Sequence, residues 1–141
     1  MPSSHEVTGR ARSAWSVLLA VLTVEAFGGI AALVPITTDF LGASDEPLGP
    51  RLSILLAALI SWAWVLITLW GAARTKASWP RGSALTMHVL IFAAGPGVLQ
   101  MGGAIGGPML GWGLVVLAFV GFFAALLARP AATDPELSAA G

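Results

Sequence analysis

Four long apolar runs, separated by short polar segments, constrain this chain more than any other feature. An α-helix needs about 20 apolar residues to cross a bilayer. Apolar residues make up 57% of the 141 residues and charged residues only 10%, against about 45–50% and 25% in soluble domains. The pattern therefore predicts an all-α, polytopic membrane protein. Its four-transmembrane-helix bundle would have spans at about residues 13–35, 52–73, 83–101 and 109–128.

The distribution of basic residues predicts the orientation of these spans. With a cytoplasmic N-terminus, Arg51 alone would lie outside, and the cytoplasmic side would hold the other six: Arg10, Arg12, Arg74, Lys76, Arg81 and Arg129. The positive-inside rule thus predicts N-in/C-in topology, with both termini cytoplasmic in a bacterial plasma membrane. We expect a cytoplasmic arm at residues 1–12, a transmembrane domain at 13–128 and a disordered cytoplasmic tail at 129–141. The first run is longer than the apolar region of a signal peptide, which favours a retained span.

Composition excludes several functional classes. The net charge is zero, so no basic patch for nucleic acid is expected. The absence of cysteine excludes disulfides and thiolate metal sites. The sequence also has no phosphate loop or paired carboxylates, and its segments between spans are too short for a catalytic domain. We predict a non-enzymatic protein without a catalytic residue, cofactor or bound metal.

Glu25 is the one acidic residue within the four runs. A charge at the bilayer centre costs about 2.5–3.5 kcal/mol on insertion scales, so such a residue is a functional-site candidate. Counted from Ser13 at about 1.5 Å per residue, Glu25 lies roughly 18 Å deep, near mid-bilayer. Ser61 and Pro96 fall at a similar level on the second and third spans. Glu25, Ser61 and Pro96 therefore form the candidate proton or substrate site.

Pro96 predicts a kink or break in the third span, because proline lacks a backbone donor and clashes with the carbonyl of Phe92. Three interpretations of Glu25 follow. It binds a proton, a cation or a cationic substrate in a polar pocket beside the break. Alternatively, it is mostly protonated and links two helices by a hydrogen bond worth about 0.6–2 kcal/mol. Thirdly, it meets a polar group of a partner protein.

His88 is the secondary candidate. The same count places it only about 8 Å from the cytoplasmic end of the third span, roughly 10 Å from the level of Glu25. We therefore predict no direct contact between them, and an interfacial histidine bonded to a neighbour instead. Small residues four apart predict close helix packing at Gly28–Ala32, at Gly103, Gly107 and Gly111, and at Gly121–Ala125.

Several short stretches resemble the small four-span bacterial membrane proteins of the YrdB type. They are Val24-Glu25-Ala26, Trp70-Gly71, the basic loop with Pro80, and the stretch from His88 to Ala94. Those proteins commonly carry a leucine–glutamate pair in the first span and a further acid in the third, where this chain has His88. The resemblance covers about residues 14–125. It implies fold and topology only, because that family has no established activity.

The chain is also similar to small multidrug resistance transporters, which are short, four-span and dimeric with an essential glutamate in the first span. Glu25 matches in kind and position, whereas their later aromatic and glycine motifs have no clear counterpart. Our first expectation is an accessory or structural membrane protein, surrounded by lipid and assembled as a homodimer or within a larger membrane complex. The alternative is a dimeric proton- or cation-coupled transporter using Glu25. A third is a membrane-sensing regulator acting through the acidic outer loop.

Overall fold

The computed structural model describes residues 4–42, 47–100 and 107–128. Within these ranges the chain forms four α-helices and no strand, which confirms the all-α prediction. The helices are α1 (Ser4–Gly42), α2 (Leu48–Thr75), α3 (Ser78–Gln100) and α4 (Gly107–Leu127). Three segments lie outside the described ranges: the predicted tail at 129–141, residues 43–46 of the predicted outer loop, and residues 101–106, which include Gly103.

The helices extend past the predicted spans at several ends. α1 begins at Ser4, within the predicted arm, and continues through Pro35 to Gly42. The segment expected as a loop between the second and third spans is mostly helical, because α3 already begins at Ser78. Pro80 lies in the first turn of α3, where a missing N–H costs no helical hydrogen bond. The remaining turn is short and contains Lys76 in the left-handed conformation, with φ of 44°.

α3 is one continuous helix through Pro96. The predicted break at this proline is therefore wrong, and the predicted kink stays a prediction. The residues after Pro96 remain helical as far as Gln100, so the proline does not end the helix.

The four helices pack as a ring in which each contacts its two neighbours. α1 packs against α2 and α4, and α3 packs against α4 and α2. Over the described ranges, the backbones of α1 and α3 do not approach each other, so these two helices stand diagonally opposite. A contact between them has to be made by side chains that cross the centre of the bundle.

The hydrophobic core is concentrated at one end of this ring. We call this region the packed end: Ala14–Ala26 of α1, Thr68–Ala72 of α2, Pro80–His88 of α3 and Ala118–Ala128 of α4. Its largest fully buried apolar side chains include Leu18 and Leu22. Arg81 joins two helices here, because its Nε and Nη2 donate to the carbonyls of Ala125 and Leu126 at 2.8 and 3.2 Å.

The rest of α1 and α2 forms what we call the open arm: Phe27–Gly42 of α1 and Leu48–Ile67 of α2. No described residue of the open arm is buried. The two helices are held together there by specific contacts. The Trp62 indole donates to the carbonyl of Ala26 at 2.9 Å, and the Arg51 guanidinium lies 5.3 Å from the centre of the Phe40 ring.

Small residues allow the closest approaches between helices. A Cβ added at Gly111 would collide with Leu99, which confirms close packing at that position. Ala125 is fully buried, as the Gly121–Ala125 spacing predicts. At Gly28, by contrast, an added Cβ would meet nothing within 4 Å, so the Gly28–Ala32 pair is not a packed interface in the described chain.

Among the described residues, two helices are long and apolar enough to cross a membrane, by length and composition. They are α1 over Arg12–Gly42 and α2 over its whole length, Leu48–Thr75. The apolar part of α4, Gly111–Leu127, is shorter. Most residues in the apolar segments of α1 and α2 are not buried within the chain, and their large apolar side chains face outward.

Candidate functional site

Glu25 and His88 meet inside the bundle. The distance between His88 Nε2 and Glu25 Oε1 is 3.2 Å, and the two side chains are 0% and 6% exposed. The prediction that they would not touch is therefore wrong. These two residues join α1 to α3 across the diagonal of the ring, where the helix backbones themselves remain apart.

The depth estimate failed because it took the start of each apolar run as a common level. In the third run the count began at Ser83, but α3 begins at Ser78. In the first run it began at Ser13, but α1 begins at Ser4. The two starting points therefore do not mark one level, and it is the 3.2 Å contact that shows Glu25 and His88 to be level.

Each residue of the pair lies on the buried face of its own helix. Leu18, Leu22 and Glu25 are spaced by four and three residues, which places them on one face of α1. Ala84 and His88 share a face of α3 in the same way, and both are fully buried. The helical spacing of the core residues thus places both Glu25 and His88 on faces that point into the bundle.

Gly121 of α4 makes room for the imidazole. A Cβ added at Gly121 would collide with three atoms of the His88 ring, Nε2 among them. The ring therefore lies directly against the α4 backbone, and any larger residue at position 121 would displace it. We predicted Gly121 as a packing residue, but its relation to His88 could not be read from the spacing.

The backbone of α3 fixes the role of one ring nitrogen. His88 Nδ1 lies 2.6 Å from the carbonyl oxygen of Ala84, one helical turn earlier. A carbonyl can only accept, so Nδ1 must carry a hydrogen to make this bond. In the neutral imidazole, Nε2 is then the unprotonated nitrogen, and its lone pair faces Glu25.

The Glu25 carboxyl is enclosed but incompletely bonded. Both of its oxygens and His88 Nε2 are shielded from solvent, and none of the three makes a hydrogen bond. The 3.2 Å approach of Nε2 to Oε1 lies within ion-pair distance, yet its alignment is not that of a hydrogen bond. Oε2 has no polar partner.

Ser61 and Pro96 do not join this pair. Ser61 is exposed and the Glu25 oxygens accept no hydrogen bond from it. Its neighbour Trp62 faces α1 instead and donates to Ala26, the residue after Glu25. Ser61 is close to the predicted depth, but adjacent residues such as Ser61 and Trp62 point about 100° apart around a helix, so only Trp62 faces α1. Pro96 is exposed and about 12 Å along α3 from His88, so it supplies no carbonyl to Glu25.

An apolar groove lies beside the pair, between α3 and α4. Its volume is about 260 Å³, and its walls include Phe92, Phe119, Phe122 and Phe123 beside the His88 ring. The rings of Phe119 and Phe123 are in contact, tilted by 53° to each other with their centres 4.7 Å apart. The groove exposes no polar surface, so it gives no polar route to Glu25.

The described ranges contain no group of three or more His, Cys, Asp or Glu residues that could hold a metal ion. The Glu25–His88 pair would supply two ligands, and structural zinc sites use four. The chemistry available at the site is therefore proton binding and hydrogen bonding between a carboxyl and an imidazole.

Comparison with known proteins adds no family assignment. No protein-family model matches the chain, and no match is found among the curated proteins or the solved structures. The resemblance to YrdB-type proteins therefore stays a prediction, and functional inference rests on the geometry of Glu25 and His88.

Proposed function

We propose that this chain is a small non-enzymatic integral membrane protein, an accessory or structural component of a bacterial plasma membrane. In this proposal all four helices span the bilayer and both termini are cytoplasmic. The Glu25–His88 pair connects the diagonal helices α1 and α3. The observation that carries the proposal is the burial of this pair where the backbones of α1 and α3 do not meet.

The exposed surface supports a lipid environment. Phe27 and Leu41 in the open arm are 69% and 75% exposed, and many other large apolar side chains of all four helices also face outward. In water such a surface would drive association, whereas lipid covers it without cost. Arg12 and Arg74 flank the packed end and Arg81 lies within it, which supports placing that end at the cytoplasmic face.

The topology is tested by fusing reporters at Ala43, in the outer loop, and at Ala77, in the turn between α2 and α3. The proposal predicts that the reporter at Ala77 is cytoplasmic and the one at Ala43 is outside. If both reporters are found on one side, the four-span topology is wrong.

A double-mutant cycle tests the structural role of the pair. Glu25→Ala and His88→Ala should each destabilise the protein in lipid nanodiscs, because each leaves the other polar group buried without its partner. We expect a coupling energy of about 0.6–2 kcal/mol, measured by reversible denaturation of both single variants and the double variant. Glu25→Gln is the conservative control, since its amide can still donate to His88 Nε2. Strictly additive effects would contradict the structural role.

A second candidate function is a dimeric proton- or cation-coupled transporter, in which Glu25 is the coupling acid. The specific observation in its favour is that neither Glu25 oxygen has a hydrogen bond, although the side chain is buried. An acid used only to join helices would be expected to be fully bonded. In this case Glu25→Gln abolishes proton-coupled flux into vesicles and leaves folding intact. Under the structural role the same substitution is nearly silent.

A further inference from the structure

We propose that Glu25 and His88 together form a single-proton site, which binds one exchangeable proton between Oε1 and Nε2. Loss of that proton, or gain of a second one, weakens the connection between α1 and α3. This inference rests on the structural role proposed above. It adds to that role a bound species, the proton, and a regulator, the pH on the side from which the site is reached.

The first step is that only one nitrogen of His88 is free to exchange its proton with Glu25. Nδ1 is bonded to the Ala84 carbonyl at 2.6 Å, and breaking that bond would leave the buried Nδ1–H without an acceptor. Nε2 is the atom that lies 3.2 Å from Glu25 Oε1. Between these two atoms there is room for one hydrogen.

The second step compares the protonation states of the pair. With no shared proton, a carboxylate oxygen faces the lone pair of Nε2, and the site carries an unpaired negative charge. With one proton, located on either atom, the remaining atom accepts a hydrogen bond and the site is neutral overall. With two protons, the neutral carboxylic acid faces an imidazolium, and an unpaired positive charge is buried. An unpaired buried charge is costly, so the state with one proton is the stable one.

The third step concerns other charges that could compensate either unfavourable state. The described part of α4 has no titratable side chain. On α2 the described titratable residues are Arg51 and Arg74, close to the two ends of that helix. Arg81, on α3 itself, is about 10 Å from His88 along the helix, and its guanidinium is bonded to α4 carbonyls. Arg12 lies about 20 Å from Glu25 along α1. The neighbouring hydroxyl of Thr68 is paired with Ser83.

Gly121 and the surrounding core keep the pair together in the one-proton state. The imidazole of His88 cannot move away from Glu25 toward α4, because it already lies against the Gly121 backbone. When the pair carries an unpaired charge, with no proton or with two, Glu25 and α1 must therefore move away from α3 to reduce the free-energy cost of burying that charge. Proton binding at this site is thus linked to the separation of two diagonal helices rather than to a local side-chain movement.

The experiment compares wild-type protein with the Glu25→Gln/His88→Gln double variant, in nanodiscs, from about pH 4 to about pH 10. The double variant keeps two groups that can hydrogen-bond each other but removes both titrations. Its stability profile therefore subtracts the contributions of all other groups. We expect the ratio of folded to unfolded wild-type protein, relative to the variant, to fall by about tenfold or more toward both extremes of pH. A difference that stays constant, or that changes in one direction only, overturns the proposal.

A second measurement keeps the proposal testable if the double variant fails to fold. His5 and His88 are the two histidines, so ¹⁵N spectra of labelled His5→Asn protein report His88 alone. Nδ1 should remain protonated throughout the pH range, while the Nε2 signal changes with pH and changes again in Glu25→Gln. If Nδ1 loses its proton before Nε2 as the pH rises, the proposal is overturned.

The two levels of inference fail in different ways. If the alanine double-mutant cycle shows no coupling at any pH, the proposed structural role itself is wrong. If that cycle shows coupling but the wild-type and double-glutamine profiles are parallel, the pair connects the helices without acting as a single-proton site.

Discussion

The packed end is built from all four helices and the open arm from α1 and α2 alone, and the two regions bury their side chains very differently. In the packed end, Leu18 and Leu22 of α1 are fully buried. Two turns further along the same helix, in the open arm, Ile30 is 47% exposed, and it lines a groove beside Trp62. The apolar character of α1 is similar in both halves. What changes is the packing around α1: at the packed end its side chains are buried in the bundle and Glu25 reaches α3, whereas the specific contacts of the arm are with α2.

This comparison shows that apolar sequence and buried core are separate properties in this chain. In the proposed membrane setting, lipid can cover an apolar side chain as well as a neighbouring helix can, so hydrophobicity alone would not drive α1 against its neighbours. Specific packing and polar contacts have to do so. The packed end contains such contacts: the Glu25–His88 pair, the packing of the His88 ring against Gly121, and the hydrogen bonds from Arg81 to α4 carbonyls.

The largest difference between the two regions is expected for glycine substitutions. Gly121→Leu should destabilise the protein by about 1–3 kcal/mol or prevent folding, because the new side chain overlaps the His88 ring. Gly28→Leu is the matched control, since its Cβ position is open. Leucine favours a helix by up to about 1 kcal/mol over glycine, so this variant should be unchanged or slightly more stable. Reversible denaturation in nanodiscs measures both.

Equal destabilisation by the two glycine variants would show that the open arm is also packed, against a second copy or another membrane protein. A Gly121→Leu variant of normal stability would show that His88 is not held against α4. Either result would remove the contrast between the two regions.

A smaller difference is expected between two arginines near the packed end. Arg81→Gln should cost about 1 kcal/mol, because Arg81 bonds the last carbonyls of α4, where a cation also complements the helix dipole. Arg74→Gln should cost about 0.5 kcal/mol or less, since the exposed Arg74 guanidinium contacts only the face of Trp70, at 5.3 Å. Thermal unfolding of the purified variants ranks them. A larger loss for Arg74→Gln would show that α3 and α4 are not fastened through Arg81.

The sequence was sufficient to predict four helices and to select Glu25 as the polar residue of the first span. Periodicity also indicates which face of α1 is buried, because Leu18, Leu22 and Glu25 repeat at helical spacing. Ser61 was chosen as a site residue only because its predicted depth matches that of Glu25. Its side chain points outward from the bundle, and this direction excludes it from the site.

The contact with His88 was missed for a different reason. The start of the third helix was placed at Ser83, where the apolar run begins. Trp79-Pro80 is, however, compatible with a first helical turn that begins five residues earlier, at Ser78. Nothing in the spacing shows that Gly121 faces His88, because relative rotation of α3 and α4 depends on tertiary packing.

The most direct test of the account is a solid-state NMR measurement of the dipolar coupling between His88 ¹⁵Nε2 and Glu25 ¹³Cδ in lipid. Labelled histidine and glutamate are introduced together, and unlabelled glutamine in a Glu25→Gln variant identifies the Glu25 signal by its loss. The account predicts a strong coupling that corresponds to the 3.2 Å approach of Nε2 to Oε1. Absence of coupling would mean that the helices are offset by roughly 10 Å, as the simple depth count predicts, and would contradict the diagonal contact on which the proposals depend.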